Sequence, residues 1–146
     1  MILWLPGRFP GLNDLLGAKS SQKGNWNAYA DLKRRHYGQI KLLCQAKRVE
    51  PVGPGYFTFL FIESDRRRDP DNIAAGGIKL IFDSLVGADV MKGDSWAHVL
   101  GFVAYWQVGA RPGCLVNFTP DGLVEKGAML LKLEREIGKD AHKEDR

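Results

Sequence analysis

Hydrophobic and polar positions along the chain form blocks, and each block predicts an element. Residues 2–5 are apolar and precede Pro6 and Gly7, which indicates a short strand followed by a turn. Residues 14–24 are polar and punctuated by glycine, which favours a loop. From Asn27 to about Arg48, apolar side chains recur at helical spacing, so this block predicts an amphipathic helix.

The clearest strand is the run 56–62, which is rich in aromatic and branched side chains. Both of its faces are apolar, so we expect a central strand that is covered on two sides. A helix is predicted from about Pro70 to Val86. Pro70 suits the first helical position behind Asp69, and Gly87 suits a C-terminal stop.

Two further apolar blocks, 96–108 and 114–118, predict strands, and the turn residues 110–113 between them favour a hairpin. The predicted fold is therefore an α/β or α+β domain with one mixed sheet of about four strands flanked by helices. Residues 121–146 add a final amphipathic helix, marked by Leu123, Leu130, Leu133 and Ile137, and a frayed charged tail.

The composition is that of one ordinary globular domain and excludes several classes of protein. The chain has 146 residues, of which 45% are hydrophobic, so it can bury a core without a disulfide or a structural metal. Its two cysteines and three histidines show no zinc-binding spacing. No segment has the apolar length of a signal peptide or a membrane span. We therefore expect a reduced, cytoplasmic protein with no membrane partner.

The net charge of +4 is distributed unevenly along the chain. Residues 1–50 carry nine Lys or Arg and three Asp or Glu, whereas residues 51–100 carry five and seven. This combination is compatible with a protein that binds a polyanion through its basic surface and a hard cation through its acids. The basic cluster Lys33, Arg34 and Arg35 on the first long helix is either a solvated face or a face turned to DNA.

The candidate chemistry lies where the central strand gives way to the next helix. Asp69 and Asp71 can turn their carboxylates towards a common point, and Asp94 could return a third carboxylate to the same place. Carboxylate oxygens are the ligands that Mg²⁺ prefers. The alternative is that Asp69 is only a helix N-cap and Asp71 only complements the helix dipole.

Lys79 falls on one helical stripe with Asn72, Gly76 and Asp83. A second stripe is expected to face the core and consists of Ile73, Gly77, Ile81 and Leu85. If the Lys79 side chain leans towards the helix N-terminus, its ammonium could approach a phosphate held near Asp69 and Asp71. The alternative is an ion pair with Asp83, four residues later.

Taken in order, these motifs resemble the RusA family of Holliday-junction resolvases. The resemblance rests on the D-x-D-N run Asp69–Asn72, on Lys79 followed by Asp83-Ser84-Leu85, and on Asp94 after a short loop. It covers roughly residues 3–120, and we predict that residues 1–120 form a RusA-like endonuclease domain. Two features depart from the family pattern: Ala75 stands where the lysine is most often found, and only one acid follows the loop.

The resemblance implies a Mg²⁺-dependent homodimeric endonuclease, with Mn²⁺ as an alternative ion, that cuts four-way DNA junctions by paired nicks in recombination and repair. Asp69, Asp71 and Asp94 would hold the metal, and Lys79 would be the basic catalytic residue. A bacterial or phage origin fits this family. The residues expected to contact DNA phosphates are Arg66, Arg67, Arg68, Lys33, Arg34 and Arg35.

Two other interpretations stay open. The chain could be a non-catalytic DNA-binding or phage accessory protein that retains the fold. It could also be an unrelated α/β domain in which D-P-D-N is only a helix cap.

Overall fold

A computed structural model describes residues 1–20 and 27–122 of the chain. These ranges are α+β, with one mixed four-stranded sheet and three helices, which confirms the predicted fold class. The predicted helix and tail beyond residue 122, and the end of the predicted 14–24 loop, lie outside the described residues. The elements are β1 (Ile2–Pro6), α1 (Leu12–Ser20), α2 (Asn27–Ala46), β2 (Gly55–Glu63), α3 (Pro70–Gly87), β3 (Val99–Val108) and β4 (Gly113–Pro120).

The strand order in the sheet is β1-β4-β2-β3. β2 pairs in parallel with β3 and antiparallel with β4, so β2, α3 and β3 form a βαβ unit. The predicted β3–β4 hairpin is wrong, because β2 lies between these two strands. The Gly109 amide donates to the carbonyl of Glu63 at 2.9 Å. The chain thus passes the end of β2 and returns along its other edge.

The core lies between one face of the sheet and the helices. Phe57, Phe59 and Phe61 of β2 are fully buried, and the Phe82 ring of α3 meets the first two edge-on. The predicted apolar stripe of α3 is confirmed: Ile73, Gly77, Ile81 and Leu85 are all buried. The alternate β2 side chains at 58, 60 and 62 stay partly exposed. The elements described here therefore do not cover both faces of β2, contrary to the prediction.

Helix α1 occupies residues that the polar pattern assigned to a loop. Its start is held by one local hydrogen bond and one to helix α3. Asp14 accepts a hydrogen bond from the Gly11 amide at 2.8 Å, and Asn72 of α3 accepts one from the Asn13 amide at 2.8 Å. Such contacts satisfy amides that the first turn of a helix leaves without partners. The prediction was wrong because tertiary partners, and not periodicity, stabilise this helix.

Glycine lets α1 and α3 approach each other. A Cβ atom at Gly76 would lie 2.5 Å from the Pro10 carbonyl oxygen, and one at Gly11 would lie 2.6 Å from the Asn72 amide nitrogen. Both distances are too short for a carbon atom in contact. The segment before α1 can therefore rest directly on the backbone of α3.

Helix α3 begins and ends close to its predicted limits. Pro70 lies at the start of the helix, and Asp69 takes the N-cap position with extended backbone. Gly87 is the last residue of the helix, and its backbone does not adopt the left-handed conformation of a glycine stop. A side chain at this position would overlap the Tyr37 hydroxyl of α2. Gly87 thus serves the packing of α2 against α3. None of the helices in the described ranges is both long and apolar enough to cross a bilayer.

Candidate active site

The three predicted acids flank helix α3 in the sequence, two at its start and one after its end. Asp69 and Asp71 stand at its N-terminal end, and Asp94 lies in the loop between α3 and β3. Asp69 makes no capping hydrogen bond with its side chain, although its carbonyl accepts the Ile73 amide at 3.1 Å. The Asp69 cap is therefore a backbone cap, and this carboxylate is left pointing to solvent without a capping role.

Asp71, Lys79 and Asp94 line one open pocket of about 700 Å³ between α3, the following loop and β3. Asp71 and Lys79 are eight residues apart, which is about 12 Å along the helix axis. Asp69 is not among the residues that line the pocket. The fold thus brings two of the three predicted acids and the predicted lysine to one cavity.

Lys79 is bound within a cluster of charges. Its ammonium lies 2.8 Å from Asp83 Oδ1 and 2.7 Å from Asp94 Oδ2. Lys33 of α2 reaches the other oxygen of Asp83 at 3.0 Å. We call these four residues the Lys79 cluster. The ion pair with Asp83 was the alternative to a lysine that leans towards the helix N-terminus, and the structure shows that pair, extended to Asp94.

The cluster fixes the charge on its central groups. The hydrogen bonds to Asp83 and then to Asp94 raise the pKa of Lys79, and the bond from Lys79 lowers the pKa of Asp94. Lys79 therefore stays protonated near neutral pH and cannot act as a general base. It can contribute positive charge and hydrogen bonds to an anion.

Carboxylates are suitable ligands for a hard cation, but the positions of these acids fit such a site less well. Carboxylates are proper Mg²⁺ ligands, and this ion is often held by one or two of them, with waters and substrate phosphate oxygens completing its shell. Across residues 1–20 and 27–122, however, no three Asp, Glu, His or Cys side chains converge as a ligand group. The pocket offers Asp71 and Asp94, the second of which is bound to Lys79.

Of the predicted DNA contacts, Arg68 has the most extensive partners inside the protein. Its guanidinium bonds both carboxylate oxygens of Glu63, at 3.1 and 3.2 Å, and the Phe9 carbonyl at 2.8 Å. Its side chain is only 10% exposed, and Asp14 approaches it at 3.6 Å. Arg68 therefore joins the end of β2 to the segment before α1. The predicted phosphate contact would require it to leave these partners.

The other predicted DNA contacts lie nearer the surface. Arg66, Arg67 and Arg35 are exposed, and the Arg67 side chain stands 3.6 Å from Asp65. Arg34 pairs with Asp31 at 3.2 Å on the exposed face of α2. Exposed pairs of this kind are weak and exchange readily for other charged partners.

Two aromatic side chains of the pocket were not among the predicted site residues. Trp96 is 94% exposed and Phe102 is 55% exposed, and both line the pocket with Lys79. Trp96 follows Asp94 by two residues, so its nearness to the acids was visible in the sequence. The sequence predicts that Phe102 lies in a strand. Its exposure could not be predicted, because it depends on the position of β3 at the edge of the sheet, where a side chain has a neighbouring strand on one side only.

Glu63 is the other residue that the sequence reasoning did not select. It is a buried acid at the end of β2, and Arg68 is its partner.

A comparison of the chain with models of known protein families, and another with characterised proteins, found no match in either case.

Proposed function

We propose that this chain is a metal-dependent endonuclease that hydrolyses phosphodiester bonds in four-way DNA junctions. The observation that carries the proposal is the pocket shared by Asp71, Lys79 and Asp94, residues that lie up to 23 positions apart. Their order and chemical types are those of the RusA-like motif. We further propose that the protein acts as a homodimer in the cytoplasm of a bacterium or in phage-infected cells.

The residues of the pocket suit hydrolysis of a phosphodiester. A bound divalent cation would polarise the scissile phosphate and lower the pKa of a water. Asp71 and Asp94 would supply oxygen ligands within the pocket, and Asp69 would reach it from the start of α3. A cation that binds Asp94 through the oxygen held by Lys79 would displace this ammonium, which would keep its pair with Asp83 and could turn towards the phosphate.

The proposed reaction balances without an additional reactant. The water loses a proton as its oxygen forms a bond to phosphorus, and the bond from phosphorus to the 3′ oxygen breaks. The 3′ oxygen takes up a proton, so the products are a 5′-phosphate and a 3′-hydroxyl. Lys79 stays protonated and stabilises the extra negative charge on the phosphoryl oxygens of the transition state. A four-way junction has two equivalent strands, so a two-fold symmetric dimer would place one pocket on each.

The first test compares Asp71→Asn with Asp89→Asn. Asp89 is exposed, lies outside the pocket and has a positive φ of 58°, which asparagine tolerates. A labelled junction is incubated with Mg²⁺, with Mn²⁺ or with EDTA. We expect the wild type and Asp89→Asn to cut with either metal and not in EDTA, and Asp71→Asn to lose at least about 100-fold in rate, since metal catalysis contributes several kcal/mol. Equal cutting by the two variants would refute the site.

The second test concerns Lys79, with Lys92→Met as the control for loss of an exposed lysine that does not line the pocket. We expect Lys79→Met to cut about 100-fold more slowly, in line with the loss of one group that stabilises a transition-state oxyanion. Lys92→Met should cut at the wild-type rate. A Lys79→Met variant that cuts normally would limit Lys79 to a structural role.

A non-catalytic junction-binding protein is the second candidate, and the Lys79–Asp94 bond favours it because this bond occupies an acid that the reaction needs. The same assay separates the two. Tight binding of the junction over duplex, with no cutting in Mg²⁺ or Mn²⁺ by the wild type, would establish the second candidate. Absence of any preference for the junction would leave an unrelated α+β domain.

A further inference from the structure

The pocket has an aromatic wall that the cleavage reaction does not use. Trp96 is 94% exposed, and its indole makes no ring contact with the other described aromatic side chains. Tryptophan is on average among the well-buried residue types, so almost complete exposure is unusual. An exposed aromatic side chain in a concave site is typical of a binding surface.

The aromatic wall is continuous with the charged part of the pocket. Trp96 stands two residues after Asp94, and Phe102 on β3 faces the same cavity. Phe102 is held edge-on by the rings of Phe59 and Phe82, with centroids 6.1 Å away in each case. One side of this wall is therefore packed against the core, and the other is a loop tryptophan that is open to solvent.

Apolar side chains, some of them small, form most of the remaining pocket surface. Ala74 and Ala75 of α3 leave room above the helix, and Ile78 and Phe82 provide a buried floor. The volume of about 700 Å³ lies within the range of about 300–1,000 Å³ that small-ligand pockets occupy. A flat apolar ligand that carries an anionic group fits this combination: its ring meets the aromatic wall and its anion meets Lys79.

We infer that the pocket binds one unpaired nucleobase of the DNA, stacked on Trp96, beside the phosphate that the acids and Lys79 engage. This inference rests on the proposed function and specifies what that site selects. A base in an intact duplex is stacked on its neighbours and cannot present its flat face to a side chain. The pocket therefore selects DNA in which a nucleotide next to the scissile phosphate is unpaired or easily unstacked, as at the centre of a junction.

The test uses oligothymidylate, blunt duplex of the same length, and two variants. Trp96→Leu removes the proposed stacking partner, and Trp106→Leu removes a tryptophan of β3 that is outside the pocket. Binding is measured in EDTA by quenching of tryptophan fluorescence and by anisotropy of a labelled strand, so the readout does not depend on cutting. Circular dichroism checks that both variants fold.

We expect the wild type and Trp106→Leu to prefer oligothymidylate to duplex and to show quenching. Trp96→Leu should lose the quenching and bind oligothymidylate about fivefold to 150-fold more weakly, the range that one base–aromatic stack contributes. Equal affinity of the wild type and Trp96→Leu for oligothymidylate would overturn the inference, as would equal binding of single strand and duplex by the wild type.

Failure of this inference can be told from failure of the proposed function. If Mg²⁺-dependent cutting depends on Asp71 but Trp96→Leu binds and cuts like the wild type, the function stands and the base pocket does not. If oligothymidylate binding depends on Trp96 but no substrate is cut, the base pocket stands and the nuclease proposal fails. If neither dependence is found, both are wrong.

Discussion

The acidic side chains near the two ends of α3 differ in whether they are paired with a basic side chain. At the N-terminal end, Asp69 and Asp71 are exposed, and neither carboxylate has a hydrogen bond or an ion pair with the described residues. Farther along the helix, Asp83 is bound by Lys33 and Lys79, and Asp94, in the loop that follows the helix, is bound by Lys79. A cation added from solution would meet free carboxylates at the first end and would compete with an ammonium at the second.

This difference shows which residues carry the fold and which are available for chemistry. The N-terminal end of α3 is fixed from behind, by Arg68 and by the contact between Gly76 and the Pro10 carbonyl, so its carboxylates need not be used for structure. The Lys79 cluster instead uses its acids to join α2, α3 and the loop before β3. The proposed chemistry therefore requires rearrangement at one end only.

Removal of the anchor behind the free acids should have the largest effect on stability. Arg68→Met would leave Glu63, which is 8% exposed, without its cation. Breaking a buried ion pair by removing one partner costs about 3–5 kcal/mol. We expect the free energy of unfolding, measured in urea at pH 7, to fall by about that amount.

Arg67→Met is the matched control, since Arg67 is exposed and its pair with Asp65 is long. It should change the free energy of unfolding by less than about 1 kcal/mol. If the two variants lose the same stability, Arg68 is not the anchor of this end, and its predicted role as a phosphate contact becomes the better one.

The glycine contact should have the next largest effect. Gly76→Ala places a methyl group 2.5 Å from the Pro10 carbonyl oxygen, so α1 and its preceding segment must move away from α3. We expect a loss of about 1–3 kcal/mol in the free energy of unfolding, the usual cost of overpacking. Gly38→Ala on α2, where a Cβ would meet nothing within 4 Å, should instead stabilise the protein by up to about 1 kcal/mol. A Gly76→Ala variant that is as stable as the wild type would show that the close approach at Gly76 is not needed.

The buried elements could be predicted from the sequence because their patterns record burial directly. The aromatic run of β2 and the stripe of α3 that contains Ile73 and Leu85 are buried as expected. Helix α1 could not be predicted, because the Asn13–Asn72 contact that supports its start joins residues 59 positions apart. The hairpin prediction failed for a related reason: a turn at 110–113 shows that the chain reverses but not which strand it joins.

The site was partly predictable. The spacing of Lys79 and Asp83 on one helix fixes their contact, and this pair was among the alternatives considered. The nearness of Asp94 to Lys79 depends on where a loop returns, which spacing cannot determine. Arg68 could not be separated from Arg66 and Arg67 in a run of three arginines, because only the packed structure shows that one of them faces inward.

The smallest predicted effect is the pH dependence of the Lys79–Asp94 bond. The pKa of Asp94 is lowered by Lys79, so the bond stabilises the folded state above the ordinary aspartate pKa and is lost as the pH falls through the lower folded value. The pKa of Lys79 is raised, so its share is complete below the ordinary lysine pKa and is lost only in strong alkali. Between pH 5 and 9 the contribution is therefore constant. Both side chains are substantially exposed, which limits it to less than about 1 kcal/mol.

The measurement is the difference in free energy of unfolding between the wild type and Asp94→Asn, in urea at pH 7, 5 and 3. We expect the same difference at pH 7 and 5 and a smaller one at pH 3. If the difference in free energy of unfolding between the wild type and Asp94→Asn is unchanged at pH 3, the Lys79–Asp94 bond is not ionic in the folded protein. The contrast between free acids at one end of α3 and neutralised acids at the other would then lose its electrostatic basis, because Asp94 would need no exchange of charge before it could bind a cation.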